Sequence, residues 1–98
     1  MTDEQKLINS MVVVDRYIKI LHDAGIEARQ EHDTGSTSLE HLLWMLYILK
    51  TNVGISANYT LDKVSRWLGF IQYGLAINNL VTVEEERNFT RPLFTETK

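Results

Sequence analysis

The chain has no cysteine and a single proline, and only 5 of its 98 residues are glycine. Without cysteine there is no disulfide framework, no thiolate nucleophile and no thiolate zinc site, which fits a reducing cytosol. With Pro92 alone and few glycines, little interrupts helices, since these two residue types disfavour them most. There is no excess of cationic charge either. Ten Lys and Arg stand against 13 Asp and Glu for a formal net charge of −3, and the cations are scattered along the chain. Non-specific nucleic-acid binding needs clustered Lys and Arg, so no nucleic-acid partner is expected. Long hydrophobic runs are missing too. The longest, inside Leu39–Leu49, is about half of the ~20 residues a bilayer span requires, so no membrane partner is expected. The opening MTDEQKLINS lacks the basic and apolar regions of a signal peptide, so export by that route is not expected.

What is present is helical periodicity. Ordinary proportions of hydrophobic (44%) and charged (23%) residues predict one globular domain over 1–98. A chain of this length buries roughly 60–68% of its unfolded surface, enough for one core. LEHLLWMLYIL, Leu39 to Leu49, is apolar all round at 100° per residue, which predicts an innermost helix. Thr37 and Glu40 are spaced as a capping box before it, and Lys50, Asn52, Val53 and Gly54 suit its end. From Asp3 to about His22, Leu7, Met11, Val14, Ile18 and Leu21 form a stripe widened by Val13, Tyr17 and Ile20. An arc that broad predicts two neighbours, or one neighbour and a second subunit. Ile8 and Val12 fall outside it, and Gly25 offers a left-handed helix stop. A third helix runs from Leu61, capped by Thr60, to about Asn78, where Asn78 and Asn79 end it. Thr82 and Glu85 form a second capping box opening a short helix, VEEERNFTR, which Pro92 stops. The expected fold is all-α, a small bundle of three main helices with a short fourth C-terminal helix.

Chemistry-bearing patterns are sparse. His22, His32 and His41 each neighbour a carboxylate, and a metal site assembled from His32, Asp33 and His41 is conceivable. Sequence neighbours do not face one another on a helix, however, and no HExxH spacing is present. Solvated histidines, no metal and no cofactor are therefore expected. No nucleophile, base and orienter are spaced as a catalytic set, which favours a non-enzymatic protein. Glu84, Glu85 and Glu86 read as favourable charges at a helix start. Gly69 and Gly74 read as packing glycines, and Trp44 and Trp67 as core aromatics. A recognition helix built from the third helix would have only Lys63 and Arg66 for phosphate contact.

The third helix carries the most information, because it has two apolar faces. Leu61, Val64, Trp67, Leu68, Ile71 and Leu75 form a core face. Opposite stand Phe70, Tyr73 and Ile77, beside Arg66 and Gly69. A contiguous exposed apolar patch of this kind marks an interaction surface. Two readings stay open: Phe89, Leu93 and Phe94 of the C-terminal tail cover it, or a subunit or partner does. Arg66, Phe70, Tyr73 and Ile77 are accordingly the expected partner surface. The alternative is a ligand cleft between subunits, in which Arg66, Trp67 and Tyr73 stack on a planar nucleotide base.

The segments RWLGFIQ (Arg66 to Gln72), TVEEER (Thr82 to Arg87) and TRPLF (Thr90 to Phe94) resemble those of small accessory proteins of tailed bacteriophages carrying an RWLGF-type helix. The likeness covers about the C-terminal third. It implies a protein acting in the cytoplasm of an infected bacterial host by binding, often to a host factor; with the second apolar stripe, the expectation is a homo-oligomer that modulates a host protein such as a defence component. A phage structural or assembly role is the further alternative.

Overall fold

The computed structural model describes residues 2–28 and 38–94. Four helices follow in order: α1 (Asp3–Asp23), α2 (Leu39–Asn52), α3 (Leu61–Ile77) and α4 (Val83–Phe94), with no strand among the described residues. Each helix begins on a hydroxyl that accepts from an otherwise unsatisfied backbone N–H three residues on. Thr2 accepts from Gln5 at 3.1 Å, Ser38 from His41 at 3.4 Å, Thr60 from Lys63 at 3.3 Å and Thr82 from Glu85 at 3.1 Å. The cap of α2 is thus Ser38, which puts His41 rather than Glu40 at the third helical position and removes the expected box. Thr37 lies outside the described residues. At α4 the pairing of Thr82 with Glu85 is present, closed by the threonine O–H donating to Glu85 Oε1 at 2.9 Å.

Two helices end in the same way. Gly25 (φ 77°) and Asn79 (φ 61°) take the left-handed conformation just past the caps Ala24 and Asn78. This brings the N–H of Ile26 to the carbonyl of Leu21, and the N–H of Leu80 to that of Leu75, each at 3.0 Å. Both are Schellman closures. Pro92 does not stop α4, which continues to Phe94. In the last turn the ring removes one backbone donor, the partner of the Asn88 carbonyl, and Asn88 is exposed to water that can take its place. The carbonyl of Leu93 accepts from Asn9 Nδ2 on α1 at 2.6 Å.

The core is continuous across the helices. Val14, Leu21, Leu42, Leu46, Leu49, Val64, Ile71 and Leu75 have no exposed surface. α1 and α3 each pack against all three other helices, while α2 and α4 each pack against both α1 and α3. The α1–α3 pair is therefore the centre, which corrects the expectation that α2 is innermost. The physical reason is that so few helices leave each an outer side: Trp44, Tyr47 and Ile48 of α2 are only half-buried. The broad arc of α1 is used on α2, α3 and α4, and Ile8 and Val12 are exposed as their position off the arc requires.

The α3 surface and the buried polar network

On α3 the core face buries Val64, Leu68, Ile71, Gly74 and Leu75, with Leu61 and Trp67 half-buried at its margins. At 100° per residue Arg66, Phe70, Tyr73 and Ile77 fall within a sector of about 60° on the far side. Tyr73 is 61% exposed and Ile77 49%, whereas Phe70 is half-buried and packs on the core. Arg66 Nε lies 3.2 Å from Asp62 Oδ2 in an exposed pair one turn apart. Such a pair contributes a few tenths of a kcal/mol and leaves the guanidinium available to a partner.

α4 does not cover this sector. Phe89, Leu93 and Phe94 pack on the core, and Phe94 lines the same cavity as Leu68, Gly69 and Gln72. That side borders the sector at Gly69, one turn from Tyr73, and leaves Tyr73 and Ile77 exposed. Nor does the nucleotide cleft assemble within one chain, because Trp67 and Tyr73 lie about 120° apart around the helix. Trp67 packs edge-on against Tyr59, with ring centroids 6.2 Å apart, and Lys63 Nζ lies 4.3 Å from the Tyr59 centroid and 5.3 Å from that of Trp67. These contacts tie the α2–α3 connection down.

The glycines divide. A Cβ on Gly74 would stand 2.5 Å from Leu42 Cδ1, so Gly74 is a packing glycine, but a Cβ on Gly69 would meet nothing within 4 Å. Close packing therefore does not account for Gly69. The histidines also depart from expectation. His41 is buried and stacks on Trp44, with centroids 5.4 Å apart and planes at 23°, instead of lying in solvent. Exposed His22 meets the Tyr47 hydroxyl across α1 and α2, while Asp23 pairs with Lys19 at 3.0 Å. His32 and Asp33 lie outside the described residues, among which no three His, Asp or Glu side chains cluster as metal ligands.

Most distinct from its sequence reading is Glu86, which has no exposed surface. Its carboxylate accepts from Arg16 Nε at 3.0 Å and from an Arg16 terminal nitrogen at 2.9 Å, a two-point ion pair between α4 and α1. The Arg16 guanidinium also lies over the Phe89 ring, 4.4 Å from its centroid. Hydrogen bonding to Glu86 holds the Arg16 pKa above its ordinary value. Tyr17, 1% exposed, lies close enough to Glu86 and to Gln72 of α3 for both to act on its phenol. Burial first, and the adjacent carboxylate second, push the phenol well above the ordinary tyrosine value. Arg16, Glu86, Tyr17 and Gln72 thus join three helices. A trace was visible in the sequence: Glu86 stands in the apolar stripe with Phe89 and Leu93, unlike Glu84 and Glu85.

Among the described residues, fold and surface together define a small all-helical domain with a polar anchor under α4 and an α3 sector whose Tyr73 and Ile77 stay exposed. No helix among the described residues is long and apolar enough to cross a membrane. Comparison with protein-family models, with curated proteins and with solved structures returns no match to this chain.

Proposed function

We propose that this is a small non-enzymatic, phage-encoded binding protein that acts in the cytoplasm of an infected bacterium by engaging a host protein, such as a defence component, and that it self-associates. The observation that carries the reading is the sector Arg66, Phe70, Tyr73 and Ile77, whose outer members stay exposed although an amphipathic helix packs onto the neighbouring side of α3. Tyr and Arg are the residue types most enriched at interface hot spots, and Arg66 stands beside the exposed aromatic ring. The arrangement of three main helices closed by the shorter α4 serves this role by presenting the sector on a supported helix. The bacteriophage context rests on the RWLGF-type resemblance.

The test is a tagged pull-down from bacterial lysate with mass-spectrometric identification, comparing wild type with Tyr73→Glu. The expected result is one host protein recovered at near-stoichiometric yield by wild type and lost in the variant. Equal recovery by both, or recovery of the bait alone, would overturn the assignment.

A further inference from the structure

We infer that the cavity between α1, α3 and α4 is a binding site for a small uncharged ring compound bearing one hydrogen-bonding group. The cavity measures about 220 Å³. Apolar Val13, Leu68 and Phe94 share its lining with Tyr17, Gln72 and Ser65, and with Ser10 and Thr90, whose hydroxyls already donate to the Lys6 and Glu86 carbonyls. This division suits a flat apolar body with one polar edge, since binding pockets combine mostly apolar walls with a few polar groups that set orientation. A cavity of about 150 Å³ accommodates benzene, so this volume fits one substituted ring or two fused rings.

Two features specify the ligand further. No charged side chain lines the cavity among the described residues, so a charged ligand would find no counter-ion there and would lose its hydration. The Gln72 amide, in the cavity lining, has two N–H donors and a carbonyl acceptor and can therefore meet an N–H or O–H on the ligand. Independently, Gly69 forms part of the wall and has open space where a Cβ would lie. Glycine inside a helix is less stable than alanine there, and no packing contact accounts for it. A bare backbone at this position keeps the opening wide enough for a ring.

Indole is the probe, titrated into the labelled protein while amide chemical shifts are followed, with indole-3-acetate and tryptamine as charged counterparts. Saturable shifts confined to Val13, Leu68, Gly69, Gln72 and Phe94, at least tenfold weaker for both charged analogues, are expected. Gly69→Leu, whose side chain grows into open space, should abolish binding while circular dichroism is unchanged. Gln72→Leu should weaken it about tenfold, the cost of one hydrogen bond. Lack of saturation up to the solubility limit of indole, shifts centred on Tyr73 and Ile77, or unchanged binding by both variants would each overturn the inference.

Discussion

Single residues show how differently one amino-acid type behaves in two settings. Gly69 and Gly74 lie on the same helix five residues apart, yet a methyl group would enter open space at one and meet the buried Leu42 side chain at the other. Gly69→Ala is expected to stabilise the fold by up to about 1 kcal/mol through helix propensity. Gly74→Ala is expected to destabilise it, by about 1–3 kcal/mol of overpacking less that same gain. Urea denaturation of the two variants measures the contrast. Tyr17 supplies a pH dependence. Its phenol stays protonated in the folded protein above the ordinary tyrosine pKa of about 10, whereas the unfolded chain releases the proton there. The unfolded state then binds fewer protons than the folded one, so stability falls as pH rises past that value, by up to about 1.4 kcal/mol per unit. The contribution is fully present below pH 10. Tyr17→Phe should flatten the alkaline decline in chemical-denaturation midpoints measured against pH.

Among the elements, α4 depends most on what it docks against. A helix of 12 residues is marginal alone, and three glutamates in its first turn favour its start without providing apolar burial. Its attachment comes from Phe89, Leu93 and Phe94 on the core, from Asn9 on its last turn and from the Arg16–Glu86 pair. Arg16→Ala would strand a buried carboxylate. Removing one partner of a buried pair costs about 3–5 kcal/mol, and the lower end applies because the Arg16 side chain keeps 34% of its exposure. Replacing both residues together, as Arg16→Met with Glu86→Leu, should recover most of the loss, since apolar groups of similar volume often substitute for a buried pair without cost. Hydrogen exchange should show α4 amides losing protection in Arg16→Ala while those of α2 keep theirs, because α2 does not pack against α4.

For the whole molecule, the α3 sector and the core are separable. Tyr73 is 61% exposed and has no part in the buried network, so Tyr73→Glu should change unfolding free energy by no more than about 0.5 kcal/mol. The same substitution places a charge on the surface proposed to self-associate and should shift the protein to monomer in sedimentation velocity. A self-associating variant would remove that surface from the proposal, whereas an unfolded one would mean that Tyr73 supports the core.

What the sequence determined by itself was local. The starts of α3 and α4 were legible because a hydroxyl and the amide three residues on are close in the chain, whereas Thr2 was not singled out and the α2 cap is Ser38 and not Thr37. Helix ends were legible at Gly25 and Asn79, where few residues tolerate positive φ, and the apolar periods located the core faces of α1 and α3. Only the tertiary structure decided which helices are central, on which side of α3 the last helix lies, and that Glu86 meets Arg16 across 70 residues while its neighbours Glu84 and Glu85 face water. The cavity beside Gly69 was equally out of reach, since it arises from three helices whose relative placement no single segment encodes. Periodicity states that a side is buried but not against what, and the partner of a buried charge is chosen by packing over distances at which sequence spacing carries no geometric constraint.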